Sequence, residues 1–152
     1  MSEYPEAQDA VPRHTVLVVD DTPQNLTILG ELLSPFYRVR VATDGTRALR
    51  IAQSAPVPDL ILLDVMMPDM DGYAVLRELH VNPLTSHIPV IFVTAMDALE
   101  DEQKGFDLGA VDYIIKPLRP GIVLARVHAQ LELKDARDRL QVQNAWLEAE
   151  VA

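Results

Sequence analysis

The 152-residue chain reads as an α/β protein. The expected form is a doubly wound parallel sheet of five strands, with helices on both faces and an extended C-terminal helix. Three observations carry this. Five short apolar runs recur, TVLVVD (15–20), YRVRVA (37–42), DLILLD (59–64), IPVIFVT (88–94) and VDYIIK (111–116). Segments with helix-start signals separate them, so strand and helix alternate. The last helical segment, 121–151, meets no Gly or Pro after its first residue.

Taken in order, the lead MSEYPEAQDAVPR lacks the basic and apolar regions of a signal peptide, and 1–13 is expected to be disordered. The first, third and fourth runs are continuous in Val, Ile and Leu, as strands buried on both faces are. Thr22-Pro23 offers an N-cap and a proline at the first helical position, and Leu26, Leu29 and Leu33 mark the face that follows. The second run alternates apolar residues with Arg38 and Arg40, which suits an edge strand. Gly45 to Ser54 carries Ala48, Leu49 and Ala52. Asp71 can cap a helix with Val75, Leu76 and Leu79 on one side. Asp97 with Glu100 resembles a capping box, with Leu99, Phe106 and Leu108 after it.

The final helix is expected to begin near Pro120. Its start, with Ile122, Val123, Val127 and Leu131, can pack on the sheet. At ~1.5 Å per residue it spans about 45 Å, more than such a domain needs. Leu133, Arg137, Leu140, Asn144, Leu147 and Val151 are spaced 4, 3, 4, 3, 4. That is a heptad seam, and Asn144 at an a-type position favours a parallel, in-register pair. A solvated tail is the plainer alternative.

Hydrophobic residues make up 49% of the chain, enough for a real core. The net charge of −10, with 23 acids against 13 bases, argues against non-specific binding to nucleic acid or anionic membrane. With no Cys, disulfides, zinc–thiolate sites and thiol nucleophiles are excluded. No apolar run reaches the length of a membrane span, and a cytoplasmic location is the default.

In a doubly wound sheet, ligands bind outside the carboxyl ends of the strands. Those ends carry Asp20 and Asp21, Asp64, Thr94 and Lys116. Each has an ordinary explanation: an aspartate after a strand is commonly a helix cap, Thr94 can turn the chain, and Lys116 can be a solvated charge. Asp69 and Asp71 suit a polar loop. The joint pattern is what points to a site. Three converging carboxylates repel and raise one another's pKa. A divalent cation relieves this, and oxygen-only ligands favour a hard ion such as Mg2+.

VLVVDD (16–21), LILLDVMMPDMDG (60–72), VTA (93–95), GAVDY (109–113) and Lys116-Pro117 together resemble the receiver domain of two-component response regulators, over about 15–131. The resemblance implies a flavodoxin-like sheet of strand order 2-1-3-4-5. It makes Asp64 the phosphoacceptor, taking a phosphoryl group from a histidine kinase. Asp21, Asp64 and the backbone carbonyl of Met66 would ligate Mg2+, with Asp20 acting through a metal-bound water. Lys116 would pair with the phosphoryl oxygens, Thr94 would hydrogen-bond them, and Tyr113 would change rotamer with Thr94. The Lys116–Pro117 bond is often cis in the family, which would aim the lysine inward. Met66 and Met96 would flank the approach of a hydrolytic water. The acid that often starts the last helix is replaced by Arg119. The chain itself would not be an enzyme beyond its own phosphorylation and dephosphorylation.

The implied plan is a lead (1–13), a receiver (14–131) and a helical coiled-coil linker (132–152) toward an output domain downstream. The stretch 132–152 resembles the linker before an HD-GYP cyclic-di-GMP phosphodiesterase domain, with a GGDEF diguanylate cyclase as the alternative output. A homodimer through the helix is expected. A haloacid-dehalogenase-type phosphatase would want Asp-x-Asp where Asp20-Asp21-Thr22 stands, and would leave Asp64 unexplained. A flavin mononucleotide binder needs a phosphate loop where the acidic DDTPQN stands. A receiver that only dimerises would not need all of these polar residues.

Overall fold

In a computed structural model of the protein, residues 13–95 and 102–151 are described, with side chains placed at 13–95 and 104–145. Residues 1–12 of the lead, Met96, the Asp97–Glu100 cap and Leu99 lie outside the described residues, as do the side chains of Leu147 and Val151.

The strands are β1 (Thr15–Val19), β2 (Arg38–Ala42), β3 (Leu60–Asp64), β4 (Val90–Ala95) and β5 (Asp112–Lys116). They form one sheet in the order β2-β1-β3-β4-β5, with every pair parallel. The helices are α1 (Pro23–Leu33), α2 (Gly45–Ala52), α3 (Gly72–Val81), α4 (Glu102–Asp107) and α5 (Pro120–Val151). β2 lies at one edge of the sheet, as its alternation predicted, and β5 lies at the other.

Strand alternation divides the core in two. Leu17, Val19, Ile61, Leu63 and Phe92 pack with Ala48 and Ala52 of α2 and Val75, Leu76 and Leu79 of α3. On the other face Val16, Val18, Leu60, Leu62, Ile91 and Val93 pack with Leu26, Leu29 and Leu33 of α1 and Val123, Val127 and Leu131 of α5. This is why the central runs are apolar at every position. Leu60 to Leu63 are completely buried, each worth about 1.5–3 kcal/mol.

Caps follow the sequence in part. Asp71 accepts the Ala74 N–H at 2.9 Å. Thr22 stands at the N-cap of α1, but its side chain makes no capping bond. Its own N–H instead donates to Asp20 Oδ1 at 2.9 Å. Asp44 caps α2 by accepting the Arg47 N–H at 2.8 Å. Arg40, read only as the polar phase of an edge strand, closes the other end of α2. Its guanidinium donates to the carbonyls of Ile51 (3.1 Å), Ser54 (2.8 Å) and Pro56 (2.8 Å).

Two apolar expectations fail. Phe106 is 45% exposed and Ile122 43%. The six-residue α4 sets the Phe106 ring edge-on to Tyr113, centroids 5.0 Å apart, instead of into the core. Val123 and Val127, one turn apart, take the sheet-facing stripe of α5 and leave Ile122 off it.

The 32 residues of α5 give a rod of about 48 Å. Its contact with the sheet runs further than the apolar spacing suggested, because ion pairs carry it. Lys134, 13% exposed, places Nζ 3.5 Å from Asp59 and 2.9 Å from Asp138. Burial pulls its pKa down, but the two carboxylates outweigh burial and leave it raised. His14 Nε2 donates to the Asp135 carboxylate at 3.0 Å, and Asp59 also accepts the Thr15 N–H at 2.8 Å. The rod is thus clamped to the amino ends of β1 and β3. Arg137 is exposed and lines a cleft of about 310 Å³ beside His80, His87 and Lys134. Leu133 and Leu140 remain exposed.

Candidate functional site

Register brings the acids together. Val19 of β1 lies opposite Leu63 of β3, so Asp20 and Asp64 emerge side by side from adjacent strands. Both are buried, while Asp21 is exposed. One carboxylate oxygen from each of the three lies within 4.8 Å of the others. Asp64 Oδ1 accepts the Met66 N–H at 3.2 Å. Asp20 accepts the Thr22 N–H on Oδ1 and the Asn25 side-chain amide on Oδ2, at 2.9 and 3.1 Å. Lys116 Nζ reaches in to 3.5 Å from Asp64 Oδ1 and 3.8 Å from Asp20 Oδ2.

The charges do not balance. Burial first, and then the Asp20 charge, push the Asp64 carboxyl up to about 6, against the downward pull of Lys116 and the Met66 N–H. Three acids facing one ammonium form an all-oxygen donor set with surplus negative charge. That chemistry fits a hard divalent cation, and Asp20, Asp21 and Asp64 are the side chains that could hold it.

Thr94 is buried near the end of β4, one residue past Val93, which pairs with Asp64. Tyr113 is buried, its ring 5.6 Å from Phe92 and 5.0 Å from Phe106. Met66 is 68% exposed. The Lys116–Pro117 bond is cis. Arg119 precedes α5, and its carbonyl accepts the Val123 N–H at 3.0 Å.

Three residues at or near the site escaped sequence reasoning. A Cβ on Gly72 would meet the Asp64 carbonyl and Val65 Cα, so only glycine lets the loop after β3 fold back against the strand end. A Cβ on Gly105 would overlap the Tyr113 hydroxyl. Asn25, five residues after Asp20, was legible only as part of an acidic loop; its place in the first turn of a helix starting at Pro23 was the available signal.

An order-2-1-3-4-5 parallel sheet with acids and a lysine at its carboxyl ends is a flavodoxin-like domain with an acidic site at the strand ends. The chain belongs to the response regulator receiver domain family, whose model matches residues 16–128. Among curated relatives, it is 47% identical over 137 residues to a Vibrio cholerae protein named "Probable cyclic di-GMP phosphodiesterase", covering 90% of this chain and 31% of that protein. It is 42% identical over 131 residues to the response regulator PleD of Caulobacter vibrioides, covering 86% and 29%. The chain therefore spans under a third of these two relatives. Among solved structures it resembles a CheY-like response regulator receiver domain protein from Methanospirillum hungatei. There the TM-score is 0.76 at 27% identity, covering 82% of this chain and 98% of that one. Among the described residues, no helix is long and apolar enough to cross a membrane.

Proposed function

We propose that the chain is a phosphoacceptor module that takes a phosphoryl group from a histidine kinase onto Asp64 and relays its phosphorylation state through α5. One observation carries the reading: Asp20, Asp21 and Asp64 converge within 4.8 Å, with Lys116 Nζ 3.5 Å from Asp64. An Asp64 oxygen attacks phosphorus and the phosphorus–nitrogen bond to the donor imidazole breaks, leaving an acyl phosphate. Asp21, Asp64 and the Met66 carbonyl would hold Mg2+, with Asp20 acting through water. When bound, the ion supplies charge neutralisation at the phosphoryl oxygens. Lys116 adds a point charge to the same oxygens, and Thr94 donates its hydroxyl to one of them. Thr94 movement frees Tyr113 to turn, which alters the face made by α4, β5 and α5.

Two further parts of the proposal concern assembly. The seam of Leu133, Arg137, Leu140, Asn144, Leu147 and Val151 pairs two copies in parallel. The output downstream is a cyclic-di-GMP phosphodiesterase, supported by the name of the 47% identical relative. Neither part needs nucleic acid or membrane.

The test is intact mass after incubation with acetyl phosphate and Mg2+. Wild type gains one phosphoryl group and Asp64→Asn gains none. A stoichiometric phosphate on Asp64→Asn would sink the assignment. Assaying cyclic-di-GMP hydrolysis and synthesis by the full-length protein decides the output.

A further inference from the structure

We infer that Asn25 is a positioning residue for the cation site, holding Asp20 in the orientation at which the three carboxylates converge. The inference rests on the proposed Mg2+-dependent chemistry at Asp64.

The two buried acids are held in the same first step. Each carboxylate accepts the backbone N–H two residues ahead, Thr22 for Asp20 and Met66 for Asp64. Such a bond pins one oxygen and leaves the other free to swing about it. On Asp64, Lys116 adds its charge 3.5 Å from that same pinned oxygen. On Asp20 the second oxygen is only 3.8 Å from Lys116, beyond hydrogen-bond length. Asn25 supplies the missing contact: its Nδ2 donates to Asp20 Oδ2 at 3.1 Å. A carboxylate only accepts, so the amide nitrogen is the end that must face it. With both oxygens held, the Asp20 carboxylate keeps the orientation in which one of its oxygens lies within 4.8 Å of an oxygen of Asp21 and one of Asp64. Asn25 can do this because Pro23 starts α1 and turns the third helical residue back over the strand end.

The competing role is structural, with Asn25 only finishing the first turn of α1. That role moves the melting temperature but not Mg2+ affinity. The experiment uses the whole chain and Mg2+ alone as probe. Isothermal titration and melting with and without Mg2+ are compared for wild type, Asn25→Leu and Asn25→Gln. Outer-shell partners of metal ligands characteristically cost about ten- to a hundredfold when lost. For a partner acting through one carboxylate, the expectation is about tenfold weaker Mg2+ binding in Asn25→Leu. Asn25→Gln, which keeps the donor, is expected to recover most of it. If Asn25→Leu does not fold, Asn25→Ser, too short to reach Asp20, takes its place with the same expectation. Wild-type Mg2+ affinity in the Leu or Ser variant overturns the role of Asn25, as does equal weakening in the Gln variant. A wild-type chain that binds no Mg2+ and takes no phosphoryl group overturns the underlying function instead, and the positioning role falls with it.

Discussion

At Asp64 the cost of the site shows in its proton. Its pKa is 3.8 in an unstrained chain and about 6 in the fold. Between these values the folded state holds the proton more tightly than the unfolded chain, so stability falls as pH rises through that window. Asp64→Asn keeps the shape and removes the charge. Without Mg2+ it should be more stable than wild type at pH 7.5 and level with it near pH 4. A gain of about 1–2 kcal/mol is expected, below the full value of the shift because solvent at the mouth of the site screens the charge. Urea unfolding at the two pH values reads this directly; no gain at pH 7.5 would mean the cluster carries no electrostatic strain. A second expectation concerns phosphoryl lifetime. Met66 and Met96 offer no strong hydrogen bond to orient a hydrolytic water. One orienting contact worth about 1.4 kcal/mol changes the rate about tenfold. Met66→Asn with Met96→Glu should therefore lose its phosphoryl group about ten times faster after donor removal, and equal decay would end the shielding idea. Asp20, Asp21, Asp64, Thr94 and Lys116 were all legible because each ends an apolar run. Gly72, Gly105 and Asn25 were not, because their meaning lies in what another segment brings beside them.

Among the elements, α5 departs most from its sequence. Apolar periodicity showed the stripe of Val123, Val127 and Leu131, since burial at helical spacing leaves a repeating mark. It did not show the pairs Lys134–Asp59 and His14–Asp135, because one charge among many on a helix has no period. Lys134 is mostly buried, so stripping its partners leaves a costly ammonium. Asp59→Ala is expected to destabilise by about 1–3 kcal/mol, since it also orphans the Thr15 N–H. Ending the chain at Leu131 should cost a similar amount, whereas ending it at Leu140 should cost little. Thermal unfolding of the three chains decides this. Equal melting of the Leu131 and Leu140 chains would show the clamp to be idle.

For the whole molecule, the sheet order followed from the motif resemblance and was met in full, while assembly is the open quantity. Each copy carries −10, so two copies repel and salt should tighten the pair. Sedimentation of the chain at high micromolar concentration should show dimer, more of it at 0.5 M than at 0.05 M NaCl (about 4 Å against 14 Å of screening), and the chain ending at Leu131 should be monomeric. Monomer for both chains at both salts would remove the seam. The clamp has one more consequence, and it is angular. A helix held at its root and continuous to Val151 fixes the compass bearing of whatever follows it. Each residue added beyond the clamp turns that bearing by about 100°, and seven added residues return it to within about 20°. Insertions of about seven or eleven residues between Asp138 and an output domain should therefore be tolerated, and insertions of about five or nine should fail.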